Sequence, residues 1–183
     1  QVELANAPLH NAFATGGEGF MEGSDQLLAI AEVGATFAGF TGVIGALRQA
    51  PGADFTEATR LSFWLMIEFA LVTIFFSLAP FAVFNFTGAV GLVWAIPSAL
   101  MAVFIVVHVL VMRRFARLLT TRGEWPRVAP FIAVLLFGAV CITQLLNATG
   151  FGFSQSFAAY FIGLFLFLLL ASSNFILLLR ALL

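Results

Sequence analysis

"LSFWLMIEFALVTIFFSLAPFAVFNFTGAVGLVWAIPSALMAVFIVVHVLVM", residues 61–112, decides how this chain folds. The run holds 52 residues, and its only ionisable side chains are Glu68 and His108. A helix rises about 1.5 Å per residue, so one helix over this run would far exceed a hydrocarbon layer about 30 Å thick. The run must fold back on itself. Turn chemistry is concentrated in "APFAVFNFTGAVG" (79–91), where Pro80, Asn85, Gly88 and Gly91 fall. The expectation is a helical hairpin, with helices over 59–80 and 91–112.

The rest of the chain has the same character. Of 183 residues, 62% are hydrophobic and only 9% charged, and the mean hydropathy is +1.07. Soluble domains carry about 25% charged residues, so a water-soluble core is excluded. Three more apolar stretches are long enough to cross a bilayer, at about 26–47, 128–148 and 157–180. The fourth and fifth spans are separated by "NATGFGFSQ" (147–155), again rich in Asn and Gly. The fold class is all-α: a polytopic bundle of five transmembrane helices. A single cysteine, Cys141, excludes an internal disulfide and a multi-cysteine metal site.

The arginines set an expected orientation. With five spans, Arg48, Arg60, Arg113, Arg114, Arg117, Arg122, Arg127 and Arg180 all fall on one side. Basic residues are retained on the cytoplasmic face, so the N-terminus is expected outside and the C-terminus inside. Trp64 and Trp125 would then anchor the inner interface, and Trp94 and Tyr160 the outer one. Residues 1–25 read as an acidic, mobile exported tail, or in part a vector-derived leader. Residues 26–183 form one transmembrane domain. The absence of lysine fits a GC-rich bacterial genome, hence a bacterial inner (cytoplasmic) membrane.

The two hairpins echo one another. "NFTG" (85–88) and "NATG" (147–150) close their outer turns, and each hairpin begins and ends near an arginine. A duplication would place helices 2–3 and 4–5 in a parallel pseudo-repeat about an axis along the membrane normal. Convergent turn chemistry gives the same signature, because Asn, Thr and Gly suit any such turn.

The first helix carries many small residues. Ala35, Ala38, Gly39, Gly42 and Gly45 recur at small-xxx-small spacing, which lets helix backbones approach closely. They are expected to pack on protein while Phe37 and Phe40 meet lipid. Glu32 borders this small face and is expected to turn inward with it. The stretch "AEVGATFAGFTGVIGAL" (31–47) resembles the first span of a group of small bacterial inner-membrane proteins with an A-E-x-G-x-T-F-A-G-F-x-G-type opening. That resemblance implies a multi-pass membrane protein and adds no catalytic residue.

A charged group at mid-membrane costs about 2.5–3.5 kcal/mol on insertion scales, so intramembrane polar residues are the candidates for function. Glu32 is either a site carboxylate or packing glue. Glu68, roughly 12 Å in from Arg60 at the helical rise, is a proton- or cation-binding carboxylate or a neutral acid bonded to a neighbour. His108 is a core residue, a proton relay or, with further donors, a metal ligand. Gln144, Asn147 and Asn174 complete a ladder in depth that could pass protons or a small cation, though each also suits interhelical hydrogen bonding. Arg113, Arg114, Arg117, Arg122 and Arg127 either attract anionic lipid head groups or only fix topology.

No metalloprotease, nucleophile-elbow or P-loop motif occurs, so an enzyme is not expected, nor a cofactor, a metal or a nucleic-acid partner. Two functions remain. One is a homo-oligomeric protein for proton or cation permeation or small-solute transport, using the buried carboxylates. The other is a non-catalytic accessory or scaffolding subunit of a larger membrane assembly.

Overall fold

Pro80 lies inside a helix rather than at its end, and one hydrogen bond explains why. Proline has no N–H, so the carbonyl four residues earlier loses its intrahelical donor. That carbonyl belongs to Phe76, and the Tyr160 hydroxyl donates to it at 2.5 Å. In the computed structural model the helix therefore continues through Pro80 to Thr87. It stops at Gly88, whose backbone is left-handed (φ 60°) and whose N–H donates to Phe84 O. The expected turn over 79–91 shrinks to Gly88 and Ala89.

The structure describes residues 21, 23–47, 56–121, 128–152 and 155–182. The described residues form five α-helices and no strand: α1 (Ser24–Leu47), α2 (Glu57–Thr87), α3 (Val90–Thr121), α4 (Ala129–Thr149) and α5 (Phe157–Leu182). All five are long and apolar enough to cross a membrane. α2 is capped at its start by Thr56, whose hydroxyl accepts from Thr59 N. α3 runs nine residues beyond its expected end, through Arg113, Arg114 and Arg117 to Thr121. Residues 1–20, Glu22, Arg48, Trp125, Arg122 and Arg127 lie outside the described residues, and with them most of the expected acidic tail and two of the five head-group arginines; Ser24 and Asp25 of that tail belong to α1.

Named contacts give the directions. Phe76 meets Tyr160 and Phe69 meets Phe167, so α2 and α5 are antiparallel. Ser98 pairs with Asn147 and His108 with Phe137, so α3 and α4 are too. α1 runs with α5, since Phe37 touches Phe175 and Ile44 packs with Leu178. α2 and α5 pack on one another across the bundle, α3 and α4 lie together at one side, and α1 rests on α2 and α5 only.

The core is an aromatic stack. Phe69 and Phe76 of α2 both lie nearly parallel to Phe167 of α5, with ring centroids 6.1 Å away in each case. Phe104 of α3 meets Phe167 edge-on at 5.6 Å. Such pairs each add about 0.5–1.5 kcal/mol beyond area burial, a use for the phenylalanine-rich composition where lipid offers no hydrophobic drive.

Three expectations are corrected here. Trp94 and Tyr160 are not outer anchors but buried core residues in contact with one another; the free carbonyl of Phe76 holds the tyrosine inside. Trp64, by contrast, is 60% exposed. The face of α1 that packs is the row Leu27, Ile30, Gly34, Phe37, Thr41 and Ile44, not the small stripe. At Gly34 a Cβ would lie 3.0 Å from Ile74 Cγ1 and 3.2 Å from Ala70 O, so this glycine lets α1 approach α2. Gly45 faces Phe63 and Ala38 is half-buried. Ala35, Gly39 and Gly42 are exposed, with nothing near the two glycines.

Candidate functional site

Gly88 lies twenty residues after Glu68 and twenty before His108. A hairpin folded at Gly88 and Ala89 therefore sets the two side chains opposite one another. They meet: His108 Nδ1 and Glu68 Oε1 are 2.9 Å apart. It is the only contact between ionisable side chains within the described part of the bundle's apolar interior.

The two partners sit in different surroundings. His108 is buried, and its ring lies 5.0 Å from Phe69, 5.4 Å from Phe137 and 5.8 Å from Phe104. Three helices thus wall the imidazole with aromatic faces. The Glu68 side chain is 35% exposed, and its second carboxylate oxygen has no hydrogen bond among the described residues. A carboxyl and an imidazole at this distance can hold one exchangeable proton with no net charge, which lowers the cost of keeping them in a low-dielectric layer. The pair thus sets an imidazole nitrogen and a carboxyl oxygen within hydrogen-bond distance, with its carboxyl side facing out.

The other candidates do not join this pair. Glu32, expected to turn inward, is instead exposed on α1, which touches neither α3 nor α4. The Thr36 hydroxyl donates to the backbone carbonyl of Glu32, not to its carboxylate. Asn174 donates to Leu170 O of its own helix. Arg113, Arg114 and Arg117 are exposed along the end of α3, a placement open to lipid head groups.

Gln144 and Asn147 are fully buried and serve α5. Asn147 Oδ1 accepts from Ser156 N at 2.9 Å, while its Nδ2 donates to Ser98 Oγ and Ser156 O. One amide thus ties the start of α5 to α3 and α4. Gln144 Nε2 donates to Ala159 O at 2.8 Å, beside Gly163, where a Cβ would collide with Met101 Sδ and lie 2.9 Å from the Gln144 nitrogen. Gly163 is what allows α5 to sit this close. The ladder of six polar groups resolves into one acid–base pair, one helix-start clamp and two separate residues.

The two Asn-x-Thr-Gly turns share their local chemistry. Thr87 and Thr149 each donate to the carbonyl four residues back and accept from the N–H two residues on. Gly88 and Gly150 both have positive φ. Their asparagines differ, since Asn85 is exposed and Asn147 buried.

Several working residues carried weak sequence signals. Tyr160, the only tyrosine, could have been matched to the carbonyl that Pro80 frees. Ser156 and Gly163 had no such marker. A shallow, open groove also runs between α2 and α3 on the bundle's outside, about 490 Å³ in volume, lined by apolar side chains including Val72, Phe75, Val103 and Phe104.

Five apolar helices of spanning length define a multi-pass membrane protein. Comparisons with protein-family models, curated proteins and solved structures found no match to this chain.

Proposed function

We propose that this chain is a small membrane transport protein that takes up a proton or small cation at Glu68 and His108 and works as a homo-oligomer. The 2.9 Å pair, buried on its imidazole side and one-third exposed on its carboxyl side, carries this reading. A group held entirely inside would have no exchange partner, and one entirely in lipid would lose its charge to desolvation. Glu68 has a foot in each environment.

The oligomer follows from where polar atoms are spent. Asn147 is engaged at the start of α5 and Gln144 commits its nitrogen to Ala159 O, which leaves Gln144 Oε1 and Ser77 Oγ as the buried unpartnered polar atoms among the described residues, few for a route within one protomer. A route between protomers has Glu68 and the exposed Glu32 available. The eight-arginine bias and the absence of lysine favour a bacterial inner membrane with a periplasmic N-terminus.

The test is flux in liposomes loaded with a pH-sensitive dye. Wild-type protein should dissipate an imposed proton or cation gradient, and Glu68→Gln should not. Equal flux from the two proteins removes the proposal.

A second reading is an accessory subunit of a larger membrane assembly. The observation favouring it is the uncovered face of α1, where Glu32, Ala35, Gly39 and Gly42 are exposed together. A carboxyl group there, off the helix centre, costs up to about 2.5–3.5 kcal/mol against lipid, a cost that a neighbouring subunit would offset. Purification in mild detergent separates the two readings: stoichiometric foreign chains favour the accessory role, and a pure homo-oligomer favours transport.

A further inference from the structure

The lining of the groove between α2 and α3 stops about one helical turn short of the acid–base pair. On α2, Glu68 stands one helical turn before Val72 and two before Phe75, and these three share one row. On α3, His108 stands one turn after Phe104. Phe104 does double duty, lining the groove and walling the imidazole. Leu71, Phe75, Leu100, Val103 and Val107 form the groove's membrane-facing rims and are all exposed. The groove is therefore reached sideways from the lipid rather than from water.

What such a site accepts follows from its atoms. The walls are apolar and partly aromatic, with Phe75, Phe76 and Phe104 among them. One turn beyond that lining, His108 uses one carboxylate oxygen of Glu68, and the other oxygen has no donor among the described residues. The complement is an aromatic hydroxyl on an apolar tail. A fatty acid fits poorly, because its own carboxylate would meet Glu68 and its head prefers the membrane surface. A hydrocarbon alone leaves the carboxylate unpaired.

We propose that the groove between α2 and α3 binds a lipid-soluble phenol or quinol, whose hydroxyl donates to Glu68 while its tail lies along Val72, Phe75 and Val103. This rests on the reading of Glu68 and His108 as the working site and names its membrane-borne partner. Binding only is inferred; no oxidation step is assigned.

Decylubiquinol and decylubiquinone are suitable probes, because they share a tail and differ in whether the ring offers a hydroxyl donor. The measurement is the rise in Tm of the purified full chain in detergent as each is titrated. The quinol should act at a concentration at least about ten-fold lower than the quinone, the scale expected for one hydrogen bond to a charged acceptor. Glu68→Gln should erase that preference. Val103→Trp, on the groove's exposed rim and away from the core, should weaken both probes by filling the space.

No shift with either probe, equal shifts with both, or a quinol preference kept in Glu68→Gln would each overturn the proposal. If Glu68→Gln does not fold, the wild-type comparison and Val103→Trp still decide it. Flux that depends on Glu68 without a quinol preference would refute this inference and leave the transport reading standing. A quinol preference without flux would do the reverse.

Discussion

Tyr160→Phe is the most informative perturbation of the fold, because its cost depends on a residue in another helix. The substitution removes one oxygen and leaves the aromatic packing against Trp94 in place. It strips Phe76 O of the donor that replaces the missing N–H of Pro80. A buried carbonyl left bare costs about 1–3 kcal/mol in proteins generally. Hydrogen bonds between membrane helices average about 0.6 kcal/mol and reach about 1.7. Tyr160 is the one side-chain donor to Phe76 O among the described residues, so a cost toward the upper part of that range is expected, about 1–2 kcal/mol.

Pro80→Ala restores an N–H that can bond Phe76 O within α2. In that background Tyr160→Phe should cost about 0.5 kcal/mol or less, because the carbonyl is already satisfied. A double-mutant cycle by reversible unfolding in mixed detergent micelles gives the coupling directly. A coupling near 1 kcal/mol is expected. Equal costs of Tyr160→Phe with and without Pro80 would refute the reasoning, since the tyrosine would then serve something other than the proline's vacancy.

Three further outcomes follow from the packing. Asn147→Leu removes the tie to Ser156 and Ser98, so hydrogen exchange should quicken in the first turn of α5 while the middle of α2 stays protected. Gly163→Ala forces Met101 aside and should cost about 1–3 kcal/mol, part of which Met101→Ala recovers in unfolding measurements. Gly34→Leu and Gly39→Leu should separate two surfaces. The first drives α1 off α2 and lowers Tm of the single chain, whereas the second leaves Tm unchanged and shifts the oligomer distribution seen by native mass spectrometry.

Much of the fold was legible because its signal is hydropathy. Five spans could be counted from apolar length, and all five are helices. The turn in the central hairpin was not, because Pro80 reads as a break in any single sequence. The carbonyl it frees is met by a hydroxyl from Tyr160, eighty residues away in the chain. That misplaced turn also hid the site. With the bend centred near residue 85, Glu68 would face residue 102, and only a bend at Gly88 brings it to His108.

The orientation of α1 was illegible for a different reason. In water, an apolar stripe marks the buried face; in a bilayer the outer face is apolar too, and the clue disappears. Gly34 and Gly39 look alike as letters, yet one touches Ala70 and the other meets nothing. Gln144 and Asn147 suit a conduit or interhelical hydrogen bonding, because polarity in an apolar helix has two uses. Here Gln144 donates to Ala159 O of α5, and Asn147 to Ser98 of α3 and to Ser156 just before α5.

The central claim is that Glu68 and His108 form one functional unit, and a double-mutant cycle on proteoliposome flux tests it most directly. Glu68→Gln and His108→Gln should each lower the flux by the same large factor, with the residual rate still measurable, and the double variant should fall no further than either alone. Independent, multiplying losses, or full flux through either single variant, would contradict a shared proton and with it the account of the site.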